Sequence, residues 1–583
     1  MNKIFCCLGK MVVTAILVVV GTSFAWAENS GVAGKLYLYI SPTTLNYFQS
    51  HSQNYEHSVK RWRTHLGKFG TLSQTIGREQ LLQEIPLGTL ILPNSVALDS
   101  EERIAIQRYV SRGGNLLGSG LVGSRDAKGK YVGLDFLQST FNVEANGFFQ
   151  ETSDSFFMPY GDGPVTWPIP AGRRMPLLSA KDSVLRLKAE NLASVVMDWS
   201  RTMDAEPNGI MAFNEIGPSR FVYFSFPDSA WPYNKDVQLV MDASIAWLRR
   251  EPVVYKAAWP DGYVASHLIE MDTEDKFATA VRLADLLEGE NFRGTFYCLT
   301  TEAVREPKTV RDLLNRGHEI AYHADVHFGF NGDPDGEQEL RISFMKKQME
   351  SIMGERSIEA TGFRAPTESY DAMTESLLYR HGIKHHAADL SSSSDRLPFF
   401  SEPGGGRSNF DKALVVLPRT QRDDIDYRKL QFDADQILSN LVYDLKFTVE
   451  SGAFGLLSVH SQYFVDGGFM LLPMKHYVKK VSSYKDKLWV ARGDQITSWW
   501  RKREVVSVKQ KRDESTLHIL VQSPISVAGL SVFITLPRKN AVVKIADISK
   551  PTSVRVKKID QFRSAIIFDE LKEGNTVLSV VFE

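Results

Sequence analysis

Cysteine is scarce in this chain, with three residues among 583, at positions 6, 7 and 298. Cys6 and Cys7 fall in an N-terminal segment that reads as removable, which leaves Cys298 alone. A lone thiol cannot close an internal disulfide, so the fold must rest on its apolar core. Charge of one sign is missing as well. Lysine and arginine total 68 against 69 acidic residues, and a chain without a global field has little means of drawing in nucleic acid or an anionic surface. No nucleic-acid partner is expected. After the first 27 residues there is no second long apolar run, no internal repeat, and no low-complexity stretch beyond Ser391 to Ser394 and Gly404 to Gly406, which read as loops.

What the N-terminus does contain is Lys3 and Lys10, the apolar run Met11 to Val20, and Ala25-Trp26-Ala27 ahead of Glu28. A basic start, an apolar stretch and small residues before a cut describe a secretory signal over residues 1–27, and imply a periplasmic or secreted protein. Left uncleaved, Met11 to Ala27 would instead be a membrane anchor, the one route to a membrane partner.

At 583 residues and 43% hydrophobic, the chain exceeds one core and reads as α/β units in series. Over 28–254, strand-like runs such as Lys35 to Ile40 and Thr89 to Pro93 alternate with helical ones such as Ser100 to Ser111, where Ser100 is the expected N-cap. This pattern resembles glutamine-amidotransferase-like domains of flavodoxin-like topology. No cysteine lies between Cys7 and Cys298, so the nucleophile of such an enzyme is missing and a structural or substrate-presenting role is expected. Over 255–503 strands are expected at Val264 to Met271, Gly294 to Leu299, Glu319 to Tyr322, Ala360 to Phe363, Ile383 to Ala388, Leu414 to Leu417, Phe454 to Val459 and Leu488 to Ala491, with helices between. Such a series predicts a distorted, incomplete (β/α) barrel. Over 504–583 short alternating strands predict a small β-sandwich.

Reacting groups in a βα barrel gather at the C-terminal ends of the strands, and the polar residues of this chain fall there. Asp272 and Glu274 follow the first expected strand, His323 and His327 the third, Arg364 the fourth, Asp389 the fifth, Arg419 the sixth and His460 the seventh. The spacing of His323 and His327 would put two imidazoles on one side of a helical turn, within reach of one ion. His381 and His385 repeat the spacing, but a glycine and a strand start divide them. His318 and His386 read as packed or hydrogen-bonded residues.

Gly317-His-Glu-Ile-Ala-Tyr-His323-Ala-Asp-Val-His327, Gly362-Phe-Arg364-Ala-Pro366 and Leu456-Leu-Ser-Val-His460 together resemble the metal-binding, Arg-x-Pro and closing Leu-x-His motifs of polysaccharide deacetylases of carbohydrate esterase family 4. The resemblance implies one divalent metal ion, with zinc expected and cobalt, nickel or iron also suited to imidazole and carboxylate. It makes Asp272 the base, Glu274, His323 and His327 the metal ligands, His460 the acid and Arg364 the residue that orients Asp272. Asp275 stays open as an alternative ligand. Asp389, or Asp395 in the next loop, is the expected partner of His460, and Tyr463 with Phe464 offers either packing or a sugar-stacking surface. The implied activity is hydrolysis of N- or O-acetyl groups on a polysaccharide. A related amidohydrolase of the same barrel acting on a small cyclic imide or ureide, and a silent carbohydrate-binding protein, are the competing readings.

Overall fold

A capped helix shows how local chemistry sets the first unit. In the computed structural model, Asp99, one residue before the expected cap, is the N-cap of the helix Ser100–Ser111. Its carboxylate accepts from the Glu102 backbone at 2.8 Å while Glu102 accepts from the Asp99 backbone at 2.7 Å, a reciprocal capping box that a serine at position 100 could not complete. The structure describes residues 34–148, 156–159, 163–176, 184–189, 192–197, 209–230, 233–389, 395–401, 413–513 and 515–583. The expected signal segment and both expected low-complexity loops lie outside them. No described helix is long and apolar enough to cross a membrane.

In the N-terminal sheet Ser73–Ile76, Lys35–Tyr39, Gly88–Leu92, Asn115–Ser119 and Ser219–Phe224 run parallel in that order, after which Gly209–Ile216 turns antiparallel. At the C-terminal end of the chain, two four-stranded antiparallel sheets face each other across Leu517, Ile519, Val521, Val532, Ile534, Ile566 and Val580. One of their strands comes from outside that region: Val254–Lys256, at the expected boundary between the first two units, pairs with Ser531–Thr535.

Between them lies a curled sheet. Its strands are β1 (Ala265–Thr273), β2 (Thr295–Cys298), β3 (Glu319–Tyr322), β4 (Gly362–Arg364), β5 (His385–Asp389), β6 (Phe399–Phe400), β7 (Val415–Arg419), β8 (Phe454–His460) and β9 (Leu488–Val490). All pairings are parallel except β6 with β7. The ring stays open between β7 and β8, where Thr420 Oγ1 accepts from the Leu456 backbone at 2.9 Å in place of a strand ladder. Strand alternation sorts the core. Ile269 and Met271 face Leu283 and Leu287 on the outer helices, whereas Leu268 joins Tyr297, Ala321, Ala387, Leu417 and Leu456 inside.

The N-terminal ends of these strands are sealed by aromatic residues. Trp259 is fully buried, with ring centroids 5.8 Å from Trp500, 6.5 Å from Trp489 and 6.1 Å from Phe454, and its indole donates to the Gly452 carbonyl at 3.1 Å. Trp259→Ala should therefore cost about 3–5 kcal/mol of stability. Urea unfolding checks this, and a loss below about 1 kcal/mol would show that the seal is not needed.

Candidate active site

Alternation along β1 also decides where its acids go. Glu270 and Asp272 share the inward face, and Glu274, two residues on, continues the same side at the C-terminal mouth, while Thr273 turns its hydroxyl to the Tyr297 carbonyl at 2.9 Å. Glu274 Oε1 lies 3.1 Å from His323 Nε2 and 2.7 Å from His327 Nε2. These three donors lie within 4.8 Å of one another. Asp275 is exposed and contributes its carbonyl, not its carboxylate, by accepting from Ser461 Oγ at 2.8 Å.

The two histidines do not share a helical turn. Tyr322 ends β3, and Ala324 takes φ +73°, a left-handed conformation that reverses the chain before Val326 and His327. The resulting loop is held by Arg341, which pairs with Asp325 at 3.0 Å, donates to the Phe328 and Gly329 carbonyls at 2.8 and 2.7 Å, and lies over the Phe330 ring. His323 is fixed from behind, because its Nδ1 lies 3.0 Å from the Arg364 carbonyl. A proton on Nδ1 makes Nε2 an acceptor, so Nε2 and the Glu274 carboxylate are two acceptors facing each other. Only a proton or a cation between them makes that contact favourable, which is the arrangement of a metal ligand oriented by its second nitrogen. Burial alone would raise the Glu274 pKa, but the hydrogen bonds of His323 and His327 outweigh it and hold the carboxyl below the usual range. The same contact pushes His327 up.

Arg364 is the hub beneath this mouth. Its Nε donates to Asp272 Oδ2 at 2.9 Å, its Nη2 to Glu368 Oε1 at 3.0 Å, and its Nη1 lies 3.1 Å from Glu270 Oε1. Glu368 also takes Arg419 Nε at 2.7 Å. A turn with Thr367 and Glu368 both at φ +55° folds Glu368 back over Arg364, conformations that cost about 1–3 kcal/mol each and persist where surrounding contacts demand them. Glu270 and Glu368 escape a sequence reading centred on motif positions. The inward alternation from Asp272 is the signal that finds Glu270.

His460 takes its partner from a different place than expected. Its Nδ1 meets Asp424 Oδ1 at 2.6 Å, and its backbone donates to Asp424 Oδ2 at 2.7 Å. Asp395 instead hydrogen-bonds Arg173 at 2.9 Å. Asp389 ends β5 opposite Arg419, and its side chain lies outside the described residues. The missed signal is the adjacent pair Asp423-Asp424 at the start of the helix Asp424–Lys429. Asp423 caps that helix by accepting from the Asp426 backbone, which leaves Asp424 free to reach His460. Burial works against the imidazolium, but Asp424 outweighs it and His460 is pushed up to about 10. Its Nε2 stands 3.6 Å from Asp272 Oδ2.

Asp272, Glu274, His323, His327, Arg364, Arg419 and His460 line one cleft of about 310 Å³. Phe464 is buried in the core, and the Tyr463 hydroxyl accepts from Arg428 at 3.0 Å, so this pair packs the wall rather than facing the cleft. The repeat spacing carries no shared site: His381 Nε2 meets Glu339 at 2.5 Å while buried His385 faces Glu319 at 3.4 Å. His386 and His318 are hydrogen-bonded to Glu375 and Glu288, each at 2.9 Å.

Comparison with curated proteins finds no match. Among solved structures, a protein from Mycobacterium smegmatis assigned to the polysaccharide deacetylases is 21% identical, covering 44% of this chain and 98% of its own, with a TM-score of 0.36. An allantoinase is 16% identical, covering 42% and 93%, with a TM-score of 0.36. A peptidoglycan deacetylase from Bacillus subtilis is 15% identical, covering 41% and 94%, with a TM-score of 0.30. Residues 272–386 match the family model described as polysaccharide deacetylase, a stretch that holds Asp272, Glu274, His323, His327 and Arg364 and stops short of Asp424 and His460.

Proposed function

We propose that this chain is an exported, metal-dependent hydrolase that removes N- or O-acetyl groups from a polysaccharide. The observation that carries this reading is the meeting, in one cleft, of the Glu274, His323 and His327 donors with Asp272 on Arg364 and His460 on Asp424. A divalent ion on those three donors, zinc by expectation, would supply Lewis acidity toward the acyl carbonyl and a bound water. Arg364 keeps the Asp272 carboxylate oriented, so that Asp272 can take the proton of the attacking water. His460, charged on Asp424, gives its Nε2 proton to the departing nitrogen or oxygen. The expected signal over residues 1–27 supports this reading, since an exported enzyme would meet a polymer substrate outside the cytoplasm. The N-terminal unit, which lacks a cysteine, is read as structural or substrate-presenting.

The test is acetate release from a panel of acetylated glycans by purified, metal-analysed protein. Turnover of a cyclic imide or ureide without acetate release would move the reading to an amidohydrolase.

Asp272→Asn should keep its metal and lose about 10² to 10⁴ in rate, whereas His323→Ala should lose metal and rate together. Metal analysis and rate measurement on both variants separate base from ligand. His381→Ala is the control and should leave metal content unchanged.

Asp424→Asn removes the main group that keeps His460 protonated. An acid acts only below its own pKa, so this variant should fall in rate as pH rises through the ordinary imidazole range, well before the wild type does. Profiles of kcat/KM against pH check this, and overlapping alkaline limbs would show that Asp424 does not tune His460.

A further inference from the structure

Arg364 faces more negative charge than it can balance. Glu270, Asp272 and Glu368 all approach its guanidinium, at 3.1, 2.9 and 3.0 Å. Arg419 adds a second cation, but it lies 2.7 Å from Glu368 and 3.6 Å from Asp423, which brings a fourth carboxylate with it. The strands flanking β1 put nothing positive opposite Glu270, which stands between Thr295 of β2 and Ser458 of β8. His460 of β8 stands opposite Asp272, 3.6 Å from its carboxylate, and is already matched by Asp424 at 2.6 Å. Glu270 is completely buried, and neither its carboxyl oxygens nor Arg364 Nη1 form an aligned hydrogen bond. An ionised carboxylate in that position would be uncompensated in a low-dielectric interior.

We propose that Glu270 is a positioning residue which, by keeping its own proton, leaves Arg364 committed to Asp272. A neutral Glu270 supports the guanidinium sterically from the closed side of the barrel without competing for it. An ionised Glu270 would draw Arg364 inward and slacken its hold on the base. Burial pushes Glu270 up to about 8, with Asp272 adding to the shift and Arg364 opposing it, so the device acts at neutral pH and fails in mild alkali. This inference rests on the proposed hydrolysis for its kinetic consequence, but the protonation itself is measurable without turnover.

Between the ordinary glutamate value of 4.5 and about 8, the folded chain holds a proton that the unfolded chain has released, so folding stability falls across that window. Glutamine cannot titrate. The urea midpoint of Glu270→Gln should therefore gain on the wild type between pH 5 and pH 8, and an unchanged difference at the two pH values would overturn the proposal whether or not the chain turns anything over. In the acetate-release assay, Glu270→Gln should stay within about twofold of wild type at pH 7, with metal content unchanged. At pH 9 it should exceed wild type by about tenfold, the loss expected one pH unit above a single ionisation. A Glu270→Gln protein that is folded and metal-loaded but inactive at pH 7, or one with the wild-type alkaline limb, would also overturn it. Glu270→Thr, smaller and equally unable to titrate, serves if the glutamine is not accommodated and should show the same two shifts. Absence of acetate release by the wild type would count against the proposed function alone, since the urea comparison still decides whether Glu270 holds its proton.

Discussion

Three carboxylates project to one side of one strand and its extension, and the interior they enter must neutralise them. Glu270 and Asp272 stand at successive inward positions of β1, Glu274 follows just beyond its end, and each finds a different answer: a buried position beside Arg364, the Arg364 Nε, and a pair of imidazoles. Much of the surrounding structure follows from that demand. Arg364 ends β4 where it can reach the first two, and its own carbonyl turns His323 toward the third. The strained turn at Thr367 and Glu368 returns a further acid to hold the far side of the guanidinium. A buried acid deep in the fold and a candidate ligand at its mouth are thus parts of one network.

That network separates roles that share a residue type. Glu274 faces bases and stays ionised, Asp272 is oriented by a guanidinium, and Asp424 is spent on His460. Environment, not side-chain chemistry, sets apart the proposed ligand, the proposed base and the support of His460. The cleft is polar where these groups meet, and its far wall is built by the short helix Asp424–Lys429, which contributes Ile425, Asp426 and Lys429.

The sequence made the strands of the curled sheet legible because each is a short apolar run closed by a polar residue at one end. It made His323 and His327 stand out as candidate ligands because their spacing is local, whereas their meeting with Glu274 depends on the fold. It misled where backbone conformation departs from the regular forms: the His323 and His327 pair reads as a helical turn, but Ala324 at φ +73° makes it a loop. It also misled where a partner comes from another strand's loop, since neither Asp389 nor Asp395 could be ranked below Asp424 without knowing which loop folds over His460. The pairing of Val254–Lys256 with Ser531–Thr535 spans nearly the whole remaining chain, a contact that no local pattern encodes.

The central claim is that Glu274, His323 and His327 hold one divalent ion, and the most direct measurement is X-ray absorption of the protein loaded with a single equivalent of cobalt. The account predicts a first shell containing two imidazoles and one carboxylate. A shell with one imidazole, or with none, would contradict it.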